Sequence, residues 1–588
     1  MDEHAIFSGK NLYECYFTVV EGENTKHKCN KCLKVFVQNT EKGYLNLRSH
    51  VETQHDDWKS KVRIHVNGKV TNGPLNNFFR QASAKAQNIY GWMEWIIEDN
   101  LSLSFCDKKN SRKRSNLAKL SLKSLKKYMK LVQKIVLREV ASRAPKTYGL
   151  IIDGWSFGTE HYYAIFITWT SADEIVEEYL IYFGVAENAD EETVFEDIND
   201  DLKQYGFTAA DWFDVLCDAL NEVFENTMEN GNTINIDNFS EVIEFITADN
   251  CSTNCKLARD SGVPMVGCGS HRLNLAVQET LGTEERKDRH GIVTAPASYL
   301  QQVIRKLDLL MGELRTLKNA ALLRTQTQLL PERRNKTRWA SLMKLLLKWI
   351  KIKLFVAAIN NFPPKLVALI PTAVENRNLE EYIDKLKDFE SVSKEMQGGG
   401  TNRASLNDVE RMFAKLVEDY GDEFDLAQLK PDAAIVHSRH FENGIAKIQA
   451  KSETTLSIAE KLAVKIFLKP PPTTTTEEKE DEQQDLSYAQ KIMRHGERQK
   501  KQRTSVSKYR STRHVSSTSN IIERINSQAK LVLSDRRSSM SPDTLNMILI
   551  LKANKSLWPN ELTIQDILDN PTFAEPLPHD EEEEDELL

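Results

Sequence analysis

Two short apolar runs in this chain each end in an aspartate. Leu150–Ile152 leads into Asp153, and Phe245–Ala248 leads into Asp249. Apolar runs of this length indicate buried strands, and a carboxylate at the exit of such a strand is better placed for metal chemistry than for stability. If the two strands are neighbours in the centre of one sheet, both carboxylates project from the same edge. Their hard oxygen atoms suit Mg²⁺ or Mn²⁺.

The two aspartates belong to a strand-rich block. Apolar stretches predict strands at Tyr148–Ile152, Tyr162–Thr170, Ile175–Val185 and Val242–Ala248. The short gaps between the first three predict an antiparallel meander. The polar stretch Asp197–Asn226 is predicted to be helical, so the order is three strands, a helix, a fourth strand and another helix.

Cysteine and histidine residues near the N-terminus have the spacing Cys29-x2-Cys32-x17-His50-x4-His55. Two thiolates and two imidazoles satisfy a tetrahedral zinc ion. We therefore predict a structural zinc site in residues 1–60. The alternatives are four unrelated polar residues, or a knuckle that does not contact DNA.

Few residues around these ligands could form a core or replace a ligand. Leu45 and Leu47 precede His50 and would supply a small core. His27 and His65 are close in sequence but fit the ligand spacing less well. The gap of seventeen residues is longer than in an ordinary DNA-reading finger.

Length and composition set broad limits. A chain of 588 residues is too long for one core and predicts three or more domains. No apolar window approaches the ~20 residues that a membrane span requires, and the N-terminus lacks a secretory pattern. Eight cysteines at this length do not make a disulfide scaffold, which favours a reducing compartment. We expect no membrane partner and no small-molecule substrate.

Charge is strongly segregated, although the net charge is only -7. From Lys108 to Lys146 there are fourteen Lys or Arg residues and one acid. Local basic stretches of this kind attract phosphate. Lys123, Lys126 and Lys127, at helical spacing within this stretch, are the residues that we expect to contact DNA.

Composition also indicates where domains begin and end. The predicted divisions are 1–60 for the Cys/His module, 61–145 for a helical basic region, 146–285 for the first part of the strand-rich core, 286–469 for a helical insertion, 470–515 for a low-complexity linker, 516–560 for a C-terminal region that completes the core, and 561–588 for an acidic disordered tail. The cluster KKNSRKR at Lys108–Arg114 is either a nuclear import signal or a solvated basic loop.

A third acidic motif lies far along the chain. The segment TSNIIER contains Glu523, and Ser527 lies four residues beyond it. Three motifs now follow one another along the chain: LIIDGW around Asp153, FITADN around Asp249, and TSNIIER around Glu523. Their order resembles the split Asp, Asp, Glu site of hAT-superfamily transposases.

The resemblance extends to both ends of the chain. The Cys/His module resembles a BED-type zinc finger, with Tyr13, Tyr16 and Phe17 where that family has upstream aromatic residues. Near the C-terminus, Pro542 and Trp558 occur in a stretch that resembles the family's dimerisation region.

The resemblance implies a multidomain α/β plus α fold. Its parts are a BED-type zinc finger, an RNase H-like core interrupted by a long all-helical insertion, and a C-terminal hAT dimerisation region. It also implies that Asp153, Asp249 and Glu523 are catalytic and bind Mg²⁺ or Mn²⁺ in a two-metal site. Arg338 and Trp339 resemble a family motif whose tryptophan stacks on an exposed base. The expected partners are double-stranded DNA and further copies of the chain, as a homodimer or higher oligomer, in the nucleus.

Each motif also has a purely structural interpretation. Asn520-x-x-Glu523 is a helix capping box, and an aspartate after a strand commonly forms a turn. Trp339 is equally an ordinary aromatic at a helix start. The pair Cys268-x-x-His271 either packs or positions a DNA strand.

The sequence therefore predicts a DNA-binding, hAT-like transposase of the DDE type. The reaction would be metal-dependent strand cleavage by water and strand transfer by a 3′ hydroxyl. The alternative is a domesticated, catalytically inactive zinc-finger protein that binds DNA, dimerises and regulates. A third interpretation is a helical scaffold with a structural zinc knuckle, and the order of the motifs argues against it.

Overall fold

The computed structural model describes most of the chain between residues 9 and 569. The described residues are 9–20, 23–32, 34–37, 44–55, 58–59, 61–62, 82–157, 160–185, 209–224, 233–235, 237–281, 286–287, 293–295, 298–335, 339–398, 403–469, 507–533, 540–558 and 561–569. The chain divides into two compact units. The first unit comprises Met1–Glu94, Cys106–Ser121 and Pro559–Leu588, and the second comprises Trp95–Phe105 and Leu122–Trp558.

The described part of the chain is mixed α and β. Its strands are β1 (Phe17–Val20), β2 (Glu23–Cys29), β3 (Val35–Val37), β4 (Tyr148–Phe157), β5 (Glu160–Thr170), β6 (Val176–Val185), β7 (Ile243–Ala248), β8 (Met265–Gly267), β9 (Arg286–Lys287) and β10 (Val293–Ala295). Its helices are α1 (Gly9–Tyr16), α2 (Leu45–Gln54), α3 (Ala84–Glu98), α4 (Lys109–Arg114), α5 (Leu122–Arg143), α6 (Ala209–Phe224), α7 (Phe239–Val242), α8 (Ser252–Ser261), α9 (Gly269–Leu281), α10 (Tyr299–Glu313), α11 (Leu317–Arg324), α12 (Trp339–Ala357), α13 (Pro364–Val367), α14 (Ala373–Met396), α15 (Leu406–Tyr420), α16 (Arg439–Gln449), α17 (Ile458–Ala463), α18 (Asn520–Val532), α19 (Pro542–Ala553) and α20 (Glu561–Asp569). None of the helices in the described ranges is both long enough and apolar enough to cross a bilayer.

The first unit begins with a small three-stranded antiparallel sheet in the order β1-β2-β3. Helices α1 and α2 pack with it around a core that includes Leu12, Phe17 and Val51. Leu47 is fully buried in this core, as predicted. The side chain of Leu45 lies outside the described residues.

The prediction that 561–588 is a disordered tail is wrong for its first nine residues. They form α20, because Ile564 and Ile567 are buried on one face of a helix. Gln565 on the same helix accepts a hydrogen bond from the backbone N–H of Ser83, at 3.0 Å. Residues 570–588 lie outside the described residues.

A five-stranded mixed sheet forms the centre of the second unit, in the order β6-β5-β4-β7-β8. Strands β4, β5 and β6 pair antiparallel, and β7 pairs parallel with β4 and with β8. The predicted meander and the predicted fourth strand are thus confirmed. The uninterrupted apolar stretches in β5 and β7 follow from burial, because both faces of the sheet are covered.

Helix α6 covers one face of this sheet. Its Trp212 meets Tyr163 with ring centroids 4.6 Å apart, and its Phe224 stacks on Tyr148 at 5.3 Å. On the other face, Phe441 of α16 contacts Phe245 at 6.4 Å. The described part of the predicted helix, residues 209–224, is therefore the layer that buries one side of the strands.

Helices α10–α15 lie within the predicted insertion and share a core, to which α9 also contributes. Its largest fully buried members include Trp349, Phe389 and Phe413. Helices α16 and α17, also assigned to the insertion from sequence, pack against the sheet instead. Ile445 and Val464 belong to the same apolar cluster as Phe245.

The predicted linker 470–515 ends earlier than expected. Residues 470–506 lie outside the described residues, but 507–515 pack against the core. Tyr509 forms an antiparallel bridge with Leu468, and Val515 is buried. The sequence prediction is wrong here because these nine residues are mostly small or basic, and only their tertiary contacts bury them.

A buried carboxylate fixes this segment to the sheet. Glu244 in β7 accepts hydrogen bonds from Thr147 at 2.5 Å, from Arg510 at 2.5 Å and from His514 Nε2 at 2.9 Å. Burial opposes ionisation of Glu244. The neighbouring His514, Arg510 and Thr147 outweigh that effect and hold the pKa of Glu244 below its ordinary value.

Helices α18 and α19 bury their apolar faces within the single chain. Ile522, Ile525, Ala529 and Val532 of α18 are all buried, and so is the run Met547–Leu551 of α19. A dimer interface made from these faces would have to expose a core. The predicted homodimer stays a prediction.

We expect Glu244→Ala to destabilise the second unit by about 3–5 kcal/mol, because it leaves Arg510 and His514 near an empty buried site. Urea denaturation of the full chain measures the effect, and Glu241→Ala, an exposed position on the same segment, serves as the control. Since the pKa of Glu244 is lowered on folding, the difference between wild type and variant should be full at neutral pH. It should shrink as the pH falls through the acid range in which Glu244 takes up a proton. Equal stability of the two variants would contradict this role.

Candidate functional site

The four predicted zinc ligands come together in the first unit. Cys29 Sγ lies 3.3 Å from His55 Nε2, and Cys32 Sγ lies 3.2 Å from His50 Nε2. One ligand atom from each residue lies within 4.8 Å of all the others. A tetrahedral zinc ion holds its sulfur and nitrogen ligands roughly 3.5 Å apart. The donor types and their spacing therefore fit zinc.

Local backbone geometry explains how this spacing works. Strand β2 ends at Cys29, and the backbone N–H of Cys29 donates to Lys34 O at 2.9 Å to close the knuckle. In a continuous helix, residues five apart point about 140° away from each other. Helix α2 ends at Gln54, and His55 has an extended backbone with φ -136°. The break in the helix turns the His55 ring back towards His50.

Aromatic rings surround the two imidazoles. The Tyr16 ring stacks on the His55 ring with their centroids 5.4 Å apart, and the centroids of the Phe36 and His50 rings are 4.5 Å apart. Burial, the neighbouring His55 and Lys34 together lower the pKa of His50. A lowered pKa favours the neutral imidazole, which is the form that binds metal.

The structure describes one of the two further histidines near the Cys/His module, and it is not in the metal-binding group. His27 is buried, and its Nδ1 pairs with the Tyr13 hydroxyl at 3.0 Å. His65 lies outside the described residues. The aromatic residues that the resemblance singled out, Tyr13, Tyr16 and Phe17, thus pack within the finger.

Asp153 and Asp249 lie at one edge of the five-stranded sheet. The parallel register pairs Ile151 with Thr247, so each aspartate lies two residues further along its own chain. Because alternate residues of a strand point to the same face, the register brings the two aspartates to the same edge and face. Both side chains are half-buried.

Each aspartate already has a hydrogen-bond donor. Asn254, buried in α8, donates from its side-chain amide to Asp249 Oδ1 at 2.5 Å. The backbone N–H of Gly154 donates to Asp153 Oδ1 at 2.9 Å. These contacts orient the carboxylates and leave the second oxygen of Asp249 without a hydrogen bond to any described residue.

The chain returns to this edge more than 260 residues later. Ser519 Oγ lies 3.5 Å from Asp153 Oδ2, and Ser519 immediately precedes α18. Glu523 lies in the first turn of that helix and is half-buried. The helix that carries the third predicted acid therefore starts beside the first.

Cys268 joins the same edge through its sulfur. It follows β8, its backbone N–H donates to Ala248 O at 2.8 Å, and its Sγ accepts from the backbone N–H of Ser519 at 3.4 Å. Burial is the main cause that raises the Cys268 thiol pKa, and Asp153 adds to it. Cys268 thus acts as a buried packing residue, and His271 is half-buried beside it.

The three acids do not form a tight cluster. In the ranges that the structure describes, Cys29, Cys32, His50 and His55 are the one group of three or more metal-binding side chains whose ligand atoms lie within 4.8 Å of one another. A two-metal site is wider than this limit, because two ions roughly 4 Å apart separate the outer ligands further.

The predicted base-stacking tryptophan is in the core. Trp339 is 4% exposed and belongs to the apolar cluster of the helical region, and its backbone N–H donates to Asn274 Oδ1 at 2.9 Å. The structure therefore places it where the alternative interpretation, an ordinary aromatic at a helix start, predicts. Arg338 lies outside the described residues.

The predicted DNA-contacting lysines are exposed on α5. Leu125, Met129, Val132, Val136 and Val140 are buried on one side of this helix. Lys123, Lys126, Lys127, Lys130, Lys134 and Arg138 are exposed on the other. We call these six residues the basic face of α5. Steps of three and four residues place them along one stripe about 22 Å long.

Comparison with known proteins gives no family for this chain. No model of a protein family matches it, and no curated protein matches it.

Sequence reasoning missed one functional element. Residues 514–520 are all buried, although most of them are small and polar. Ser516 and Ser517 contact the sheet edge through their backbone carbonyls. The signal was the run VSSTSN itself, since a polar run next to a carboxylate motif can be a buried hydrogen-bonding segment as well as a cap.

We expect Cys32→Ser to lower the zinc content of the purified full chain from about one ion per molecule to near zero, because three ligands hold zinc far more weakly than four. Metal analysis after gel filtration without chelator measures it. Cys15→Ser is the matched control, since Cys15 lies in the same small core but outside the ligand set. A wild-type protein that contains no zinc in this measurement would contradict the predicted zinc site.

Proposed function

We propose that this protein is a DNA-binding, hAT-like transposase that cleaves and transfers DNA strands at the edge of an RNase H-like sheet. Three observations support the proposal. The strand order is β6-β5-β4-β7-β8 with a parallel centre. Asp153 and Asp249 share one edge and face of that sheet. The basic face of α5 is exposed.

The observation that carries the proposal is the contact between Ser519 and Asp153. Their side-chain oxygens are 3.5 Å apart, although 365 residues separate them in the chain (519−153−1). The residue that precedes α18, Ser519, makes no side-chain cap hydrogen bond, so the capping-box interpretation does not account for the start of this helix at the carboxylate edge of the sheet. The convergence supports a joint role for Asp153, Asp249 and Glu523.

The residues present suit divalent cations of the hard type. Asp153, Asp249 and Glu523 would hold Mg²⁺ or Mn²⁺, which would supply charge stabilisation for the attacking and leaving oxygens of a phosphodiester. Asn254 keeps the Asp249 carboxylate in one orientation through its amide. The buried side-chain oxygen of Asn254 has no hydrogen-bond partner in the part of the chain that the structure describes, so a polar ligand or water at this edge would also satisfy it.

The zinc finger and α5 would supply binding rather than chemistry. Lys123, Lys126 and Lys127 have no acidic partner among the described residues, and they lie on the exposed side of α5. Lysine side chains of this kind bind DNA phosphates regardless of sequence. Target choice would then lie with the Cys/His module, whose sheet and helix are presented on a zinc-stabilised core.

The second candidate is a DNA-binding regulator that keeps the fold without cleaving DNA. It is favoured by the hydrogen bonds that already occupy Asp153 Oδ1 and Asp249 Oδ1. Under either function we propose a nuclear location. Exposed Lys108, Lys113 and Arg114 are accessible to an import receptor.

We expect Asp153→Asn to reduce strand nicking by at least about a hundredfold, the effect of losing a group that stabilises transition-state charge. The substrate is duplex DNA selected by the wild-type chain from a random library, assayed with Mg²⁺ and with Mn²⁺. Asp173→Asn, at the exposed turn between β5 and β6, is the matched control. Both variants should bind the duplex as the wild type does. If the wild type binds the selected DNA but nicks it with neither ion, the regulator takes the place of the enzyme.

We expect the triple variant Lys123→Ala, Lys126→Ala, Lys127→Ala to flatten the dependence of DNA affinity on salt. Each lost phosphate contact lowers the slope of log affinity against log salt by about 0.9. Fluorescence anisotropy at a series of salt concentrations measures the slope. A triple lysine variant at exposed positions of the helical region, Lys318, Lys344 and Lys351, controls for net charge. Equal slopes for the two triple variants would show that DNA does not contact these lysines of α5.

A further inference from the structure

A groove in the second unit collects positive charge away from the carboxylate edge. It lies between the end of α8 and the start of α16. Arg259 lines it from α8, and His437, Arg439 and His440 line it from the other side. No acidic residue is among the described residues that line it.

His437 Nδ1 pairs with the Ser438 hydroxyl at 3.2 Å, but the other three basic side chains of the groove are not used to hold the fold together. Arg259, Arg439 and His440 are exposed, and none of them forms a hydrogen bond or an ion pair through its side chain with a described residue. Elsewhere in the second unit, Arg272 is buried and donates to Glu410 and to backbone carbonyls. The contrast indicates that the groove residues are available to a ligand.

The start of α16 adds backbone donors to the same place. The Ser438 hydroxyl accepts from the backbone N–H of Met265 at 2.9 Å and does not cap the helix. The first intrahelical bonds come from Phe441 and Glu442. Among the described residues the backbone N–H groups of Arg439 and His440 have no acceptor, so both are available to an anion at the positive end of an eleven-residue helix.

The groups are also close enough to influence one another. Burial lowers the pKa of His437, and the neighbouring Arg259 lowers it further. Arg259 and Arg439 line the same space as His437 and His440, and the two guanidinium charges favour an anion there. Guanidinium groups bind phosphate oxygens in pairs, and imidazoles add single donors.

We propose that this groove is a binding site for a phosphate group. Pro264 precedes β8 and Met265 is its first residue, whereas Asp249 follows the parallel β7, so the groove lies at the sheet edge opposite the carboxylates. A site there is separate from the cleavage chemistry. The phosphate group that binds there comes from one of two sources. One is the DNA backbone, which rests on the proposed function, and the other is a free phosphate compound.

The test is an NMR titration of the full chain with inorganic phosphate, observed at the histidine ring signals. We expect saturable shifts of the His437 and His440 signals and a rise in the pKa of His437, because a bound anion offsets the charge of Arg259. The double variant Arg259→Gln, Arg439→Gln should bind at least about tenfold more weakly, since it loses two charge-assisted contacts. Both arginines are exposed, so the variant should melt at the wild-type temperature.

Arg305→Gln, an exposed arginine on α10, is the matched control and should bind phosphate as the wild type does. Shifts that do not saturate, or equal affinities in the wild type and the double variant, would overturn the proposal. A duplex oligonucleotide that displaces phosphate identifies the DNA backbone as the source, and one that does not identifies a free phosphate compound. Asp153→Asn should leave phosphate binding unchanged, so a failure here is distinct from a failure of the cleavage proposal.

Discussion

Hydrogen bonds between the segment 514–520 and the sheet edge determine the arrangement of the carboxylate site. Thr247 Oγ1 donates to Ser516 O at 3.1 Å, and the backbone N–H of Gly269 donates to Ser517 O at 2.9 Å. Thr247 lies near the end of β7, and Gly269 is the first residue of α9. The segment is therefore bonded both to a strand of the sheet and to the helix that follows β8. The position of α18, and with it Glu523, follows from these contacts.

The helical region contributes to the same arrangement. Ser517 donates to Ala404 O at 2.9 Å, and the Asn520 amide donates to Met396 O at 3.1 Å. Both acceptors lie in the helical region that separates Asp249 from Glu523. Without that region, the Ser517 hydroxyl would lose its acceptor, and the Asn520 amide would keep only Ser270 Oγ. A buried donor left without an acceptor costs about 1–3 kcal/mol. The insertion is therefore part of the site's support rather than a separate appendage.

The parts of the fold that sequence predicts well are those with a local signal. The strands of the sheet are apolar runs bounded by turns, and the finger ligands have a spacing that few other structures require. The segment around Ser517 and the helix α20 have no such signal, because their burial depends on distant partners such as Ala404 and Ser83. For Trp339 the sequence suggests a function that the packing does not support. An aromatic residue beside a basic one suggests a nucleic-acid contact, but Trp339 is buried against α9 and the helices of the insertion.

The bridge between Leu468 and Tyr509 has a consequence for how this chain can vary. The backbone N–H of Lys469 donates to Lys508 O at 2.9 Å, and that of Arg510 donates to Phe467 O at 2.8 Å, so the chain leaves and re-enters the core at one point. Lengthening the connection between these residues costs little, because the entropy of closing a loop grows only with the logarithm of its length. Evolution can therefore insert or delete sequence at this position without moving α18. A single break in the connection would leave two fragments still joined by the packing of the core.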